Sequence, residues 1–480
     1  MANDTRKTRM GRFTRREALE LAGVGALAAT GASLAPPVRA AHHEKRGASG
    51  NDYDAIVIGA GFAGAVAARD LGKAGMRVLV LEARNRLGGR TFTSSFAGHK
   101  IELGGMHIHW LQPHIWAEVT RYGFPMTESP SSNFERFSFI GKDGELRNAD
   151  PDETLNELVE GIDIFCRDAW DYFPRLFDPL FVDAVKQLDT ETIADRLKSP
   201  ALSDRQRALI SAIFGVLAGG DLSEAAASQI LRGYAAGGWN AATWLDTLGR
   251  YKFANGTLSV ITTLLEDSGA EVRLATPVAA ITQRDDQVVV TTSGGEKVSA
   301  RACVVTVPVN VYSQIAFEPG LSRGKAALAR EGQMSRGHKV YVHLRENIGR
   351  FFAAGIDQPL SWMQTEYYDE NGTVLITVGG RHDLLDIHDS KAVAAAVHRY
   401  LPDVEVLASV GYDWNADPYS RGAWPAFRAG QLMKRFADLQ RTEGNVHFAG
   451  SMTASGWYQW IDGAVESGLR AAREIKRKLT

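Results

Sequence analysis

Residues 54–93 read DAIVIGAGFAGAVAARDLGKAGMRVLVLEARNRLGGRTFT, and no other stretch of this chain limits its fold as tightly. The apolar run from Ala55 to Ile58 predicts a buried strand. Gly59, Gly61 and Gly64 then give the G-x-G-x-x-G spacing, which permits a tight turn, a backbone passing close to a pyrophosphate, and a helix packed hard on the strand. A second apolar run ends at Glu82, where a carboxylate can accept from both ribose hydroxyls and disfavours a 2'-phosphate, hence NADP. The order strand, glycine turn, helix, strand, acid predicts a dinucleotide cradle with its phosphates on the helix N-terminus.

The chain has 480 residues, 45% of them hydrophobic, enough for two or three domains or one discontinuous pair. Its 54 basic and 56 acidic residues leave a net charge of -2, which gives no reason to expect nucleic acid as a partner. Cys166 and Cys303 are the only cysteines; they suggest no metal site, and the count does not imply a disulfide. At the N-terminus, Arg15-Arg16 precedes a weakly apolar Ala/Gly-rich stretch from Leu21 to Ala35 and a small-residue site near Ala40 or Ala41. This predicts a twin-arginine export signal, a periplasmic or exported protein and no stable membrane span.

After a polar linker from His42 to Asn51, strand and helix signals alternate to about residue 115. Apolar spacings of three and four from about Asp150 to Leu248 predict a helical insertion, and strand patterns return at 271–274, 277–281, 288–292 and 302–308. Half-buried strands at 338–345, 362–365 and 374–378 and a helix at 391–400 predict a mixed second domain. The expected fold is α/β: a discontinuous Rossmann-like nucleotide domain formed by 51–115, 248–318 and 425–480, beside an α+β substrate domain with a helical insertion formed by 116–247 and 319–424, after a signal and linker at 1–50.

The segments GAGFAGAVAARDL, LEARNRLGGRTFT, ELGGMHIHW, VVTVPVNVY and VHFAGSMTASGWYQWIDGAVESGLRAA resemble the flavin-dependent amine oxidases, the monoamine and polyamine oxidase family, from Asp52 to the C-terminus. HWLQPHIWAEVTRYG and EGQMSRGHKVYVH look most like its bacterial nicotine oxidoreductases and pseudooxynicotine amine oxidases. The resemblance implies FAD rather than NAD, with Arg84 and the segment Arg86-Leu-Gly88-Gly89-Arg90 supplying amides and guanidinium donors to the pyrophosphate. It assigns Val278 to the adenine, and Gly104, Gly105, Met106, His107, Gly450, Ser451, Ile461 and Ala464 to the flavin. Ala423 stands where some relatives carry a flavin-linked cysteine, so the FAD is expected to be non-covalent.

By the same resemblance Trp424 and Trp460 match two facing aromatics before the flavin, an aromatic cage that excludes water and favours an uncharged amine. Lys339 matches a lysine that holds a water near flavin N5. His107, Trp362 and Thr377 are expected to line the substrate cavity, His107 either bonding a substrate group or standing as a satisfied wall histidine; for Trp239 and Trp244 core packing is favoured over a place on the cavity wall. His107, Trp460 and Met452 depart from the residues usual in the nicotine enzymes or the wider family, which leaves the substrate open.

The implied reaction is oxidation of the C–N bond of a small aromatic or N-heterocyclic amine to an imine that hydrolyses to a carbonyl. O2 and a periplasmic cytochrome c both stay open as acceptor, and so does a homodimer. Alternative readings are an L-amino-acid or polyamine oxidase of the same fold, and a non-catalytic flavoprotein-fold binding module.

Overall fold

The computed structural model describes residues 52–479; the expected export signal and the linker through Asn51 lie outside them. The strand Tyr53–Ile58, fully buried over its last four residues, leads through the glycine turn into the helix Phe62–Lys73 and the strand Val78–Leu81. These strands are parallel, and they sit in an eight-stranded sheet ordered Glu271–Arg273, Val78–Leu81, Tyr53–Ile58, Lys297–Val305, Gln287–Thr292, Val278–Arg284, Ala316–Glu318. Val446–Phe448 also pairs with Lys297–Val305, in parallel. Three distant stretches of sequence therefore complete one sheet.

A second, seven-stranded sheet runs Val406–Gly411, His338–Leu344, Gly372–Gly379, Trp362–Asp369, Phe351–Gly355, Arg136–Ile140, Leu146–Ala149. Between Ala149 and Tyr251 the chain is helical, with longest helices Pro151–Phe165 and Asp204–Ala218. The latter is fixed at both ends: Ser203 and Gln206 form a reciprocal capping box, and Gly219 closes it with a left-handed φ of 62°. The helix expected at 391–400 spans Ser390–His398.

Small residues bring the last helix, Ile461–Leu479, onto Phe62–Lys73: a Cβ on Gly468 would come within 2.3 Å of the Ala63 carbonyl oxygen. The first helix is also anchored by Arg69, whose guanidinium donates to both carboxylate oxygens of Glu118 at 2.7 and 2.9 Å. Both side chains are 1% exposed, and Arg69 also pairs with Asp70 at 2.6 Å; breaking a buried pair of this kind costs about 3–5 kcal/mol. Cys166 and Cys303 are free and buried in the same core cluster. That core also takes Trp244, and Trp239 packs at a tilt against Trp170, with ring centroids 4.4 Å apart.

Candidate active site

A cavity of about 620 Å³ runs from the glycine turn to the face of the second sheet. Part of its wall is the cradle: Gly59, Gly61, Glu82, Arg84, Gly88, Gly89 and Arg90, with Val278 from the strand that begins there. Gly64 lies off the wall and acts through packing, since a Cβ there would fall 1.9 Å from the Gly59 carbonyl oxygen. Gly61 differs. A Cβ on it would meet no protein atom nearer than 3.7 Å, so the protein's own packing does not require glycine there, and the space is left for what enters the cradle. The helix that follows has no side-chain cap and no acid in its first turn, which leaves its amides and its positive end free for an anion.

Glu82 is pinned by two amides, accepting from Ala60 N at 2.8 Å and Arg84 N at 2.9 Å. The two arginines of the cradle are in opposite states. Arg84 is neutralised by a two-pronged pair with Asp417, at 3.1 and 2.6 Å, and also donates to Ser420. Arg90 donates only to the Ala423 carbonyl at 2.7 Å and weakly to Ser451 Oγ at 3.5 Å, and burial pushes its guanidinium down to about 10. It is a half-buried cation on the wall with no carboxylate in contact among the described residues, which fits a diphosphate. Arg86 corrects an expectation: its Nη1 donates to the carbonyls of Leu87, Gly89 and Thr91, its guanidinium stacks 4.1 Å from the Phe92 ring, and it is absent from the wall. It folds the turn rather than facing a pyrophosphate.

Gly104, Gly105, Met106, His107, Gly450, Ser451, Trp460, Ile461 and Ala464 line the adjoining part. Gly105, like Gly61, has room for a Cβ, with nothing nearer than 3.6 Å. The helix Ile461–Leu479 opens on this wall, and its first-turn acid, Asp462, is turned away to accept from Ile115 N at 2.8 Å, so the helix end faces the cavity without a carboxylate. Lys339 reaches in from the second sheet to donate to the carbonyls of Glu102 and Gly104, and burial lowers its ammonium to about 8. Burial, helped by the positive Lys339 and Lys252, lowers His107 to about 3, so its ring is neutral at any ordinary pH.

Trp424 is fixed by its indole N–H, which donates to Leu217 O at 3.1 Å at the end of the helix Asp204–Ala218. Gly337 makes room for the ring; a Cβ there would come within 2.3 Å of it. Trp460 packs edge-on against Trp457, with centroids 6.2 Å apart. Both tryptophans line the cavity, and no ring contact joins them among the described residues. Trp362 also lines it, its indole N–H donating to Gln364 Oε1 at 2.7 Å.

Thr377 is a correction. Its hydroxyl donates to Val340 O at 2.8 Å, it is fully buried, and it is not on the wall. Strand alternation is the reason: Trp362 pairs with Val378 and Gln364 with Ile376, so these four share the cavity face while Thr377 points to the other. Gln364, Ile376 and Val378 were missed, although counting by twos from Trp362 finds Gln364. Leu217 and Leu248, also on the wall, carried no sequence signal.

A two-sheet fold whose glycine cradle, free helix end and unpaired half-buried arginine open into an aromatic cavity defines a dinucleotide-dependent oxidoreductase. The chain belongs to the flavin containing amine oxidoreductases, whose family pattern matches residues 62–476. It is 44% identical to a nicotine dehydrogenase of Pseudomonas putida, over the full length of both chains, and 37% identical to a pseudooxynicotine dehydrogenase of a Pseudomonas species, over 99% of this chain and 98% of that one. Among solved structures, a putrescine oxidase superposes with a TM-score of 0.77 at 24% identity, over 88% of this chain and 99% of that one, and shares its fold. The protein is a flavin-dependent enzyme, and its residues fit FAD.

Proposed function

We propose that the protein oxidises the C–N bond of a small, largely apolar amine of the nicotine or pseudooxynicotine kind, giving an imine that water hydrolyses to a carbonyl. One observation carries the reading. Beyond the cradle the wall includes His107, Leu217, Leu248, Lys339, Trp362, Gln364, Ile376, Val378, Trp424 and Trp460; Glu82, in the cradle, is the one carboxylate on the cavity wall among the described residues. A diamine would leave its second ammonium buried without a counter-charge, and an amino acid would find no guanidinium outside the cradle for its carboxylate, only Lys339, which already donates to the carbonyls of Glu102 and Gly104. A monoamine with an aromatic ring is met by indoles, by a neutral imidazole and by the Gln364 amide. The similarity to the two Pseudomonas enzymes supports the same class.

FAD, when bound, accepts a hydride equivalent from the carbon beside the amine nitrogen. The chain's part is to make that carbon available. Trp424 and Trp460, read as an aromatic cage, exclude water, and the dry wall favours the neutral amine, whose lone pair the reaction needs. Lys339 stands beside Gly104 and can hold a water at the flavin edge. Neither free cysteine lines the cavity and Ala423 offers no thiol, which supports FAD held without a thioether. We read the two sheets as nucleotide and substrate domains with the boundaries given above, Arg15-Arg16 as an export signal, and O2 or a cytochrome c as the final acceptor.

The test is anaerobic mixing of the yellow protein with nicotine, pseudooxynicotine, tyramine, putrescine and L-amino acids. Bleaching by nicotine or pseudooxynicotine at far lower concentration than by the others is expected. Preferential bleaching by putrescine or an L-amino acid would refute the assignment.

A further inference from the structure

Behind Trp460 lies a second cavity of about 10 Å³, bordered by Trp460, Gln459, Leu217 and Leu248, which also border the large one. That is room for one water molecule. Three buried polar atoms on residues of its wall bond to no partner among the described residues: Arg232 Nη1, Gln229 Nε2 and Gln459 Oε1. The other ends of two of these side chains are committed. Gln229 Oε1 accepts from the Tyr458 hydroxyl at 3.1 Å, which fixes its NH2 toward the remaining side, and Arg232 Nη2 donates to Ser455 O at 3.0 Å while the guanidinium lies 4.4 Å from the Tyr458 ring. Arg232 and Gln229 are 3% and 5% exposed, and no carboxylate is in contact with Arg232 among the described residues. Two donors and one acceptor around a one-water space match the bonding of a water, and leaving them unmet would be costly.

The backbone at this point is loosely tied. Gln459 N to Ser451 O and Trp460 N to Trp457 O are both 3.4 Å, and Ala464 N to Trp460 O is 3.3 Å, all beyond the usual hydrogen-bond length. Gln459 also holds a left-handed φ of 63°, a strained conformation for a residue other than glycine that persists only where its surroundings impose it. Gln459 borders the polar chamber and directly precedes Trp460 in the chain.

We propose that one water molecule is bound in this chamber, accepting from Arg232 and Gln229 and donating to Gln459, and that through Gln459 it sets the position of Trp460 in the wall of the substrate cavity. Arg232 is then a positioning residue. The hydration site stands on geometry alone; its effect on turnover rests on the reading of the large cavity as an amine site.

Two experiments test it. A crystal structure of the FAD-loaded protein that resolves ordered water should show one water bonded to all three side chains; a dry chamber, direct pairing of the side chains, or an anomalous peak after bromide soaking would overturn the proposal. In anaerobic flavin reduction, Arg232→Met and Gln459→Gly, the latter suited to a left-handed φ, should keep FAD yet raise the half-saturating amine concentration about tenfold, the size expected of a slightly misplaced wall. Arg232→Lys, which keeps a donor, should restore most of it. A lower melting temperature with unchanged reduction constants in both variants would make the chamber structural only and refute the positioning role. If no amine reduces the wild type, the amine reading fails, and the water is judged from the density.

Discussion

Lys339 Nζ, carried by the second sheet, donates to the carbonyl oxygens of Glu102, the last residue of the strand His99–Glu102, and of Gly104, on the cavity wall. The bond joins the two halves of the site through a buried ammonium, lowered by desolvation to about 8 against an ordinary 10.5. Because the folded state holds this proton less tightly than the unfolded one, the burial penalty is carried in full below pH 8 and relieved as pH rises toward 10.5. Wild-type stability should therefore gain on that of Lys339→Met by about 1–3 kcal/mol between pH 7.5 and 10. Paired urea titrations at the two pH values check this, and a constant difference would contradict the lowered lysine.

The contrast between Arg84 and Arg90 leads to a second expectation. Arg90 is half-buried with no carboxylate partner among the described residues, and desolvation lowers it, whereas Arg84 is neutralised by Asp417. Arg90→Met should thus leave the FAD-free protein as stable or more so, while weakening FAD by about 10- to 100-fold through loss of a charge-assisted bond. Melting of the stripped protein and a flavin fluorescence titration measure the two effects separately.

Two glycines that look alike in the sequence should behave differently. Gly64→Ala drives a methyl to 1.9 Å from the Gly59 carbonyl and should prevent folding or strongly destabilise it. Gly105→Ala meets only ordinary contacts, at 3.6 Å and beyond, so the variant should fold, melt close to wild type and be isolated with little flavin. Expression yield, melting temperature and the ratio of flavin to protein absorbance decide both.

The cradle was legible because its determinants are contiguous: strand, glycines, helix and acid follow one another, and each acts on its neighbours. What sequence could not show depends on residues meeting across the fold. Arg84 turns to Asp417 and Ser420 from the far end of the chain, and Arg86 folds back onto nearby carbonyls and the Phe92 ring instead of facing the cavity. Thr377 was misplaced for a smaller reason. The strand was recognised but its phase was not, and a shift of one residue exchanges the cavity face for the opposite one. The polar chamber left no trace in the sequence, because Gln229 and Arg232 lie on the helix Ala227–Ala236 and meet Gln459 only in the folded chain.

Stopped-flow measurement of anaerobic flavin reduction in Trp424→Ala, with nicotine or pseudooxynicotine as reductant, tests the account most directly. Trp424 makes its side-chain hydrogen bond to Leu217 and borders the cavity without belonging to the nucleotide cradle, so the variant should retain FAD. Reduction should slow by about tenfold or more as water enters and the amine loses its wall. A variant that keeps its flavin and is reduced at the wild-type rate would contradict the claim that oxidation takes place against this indole.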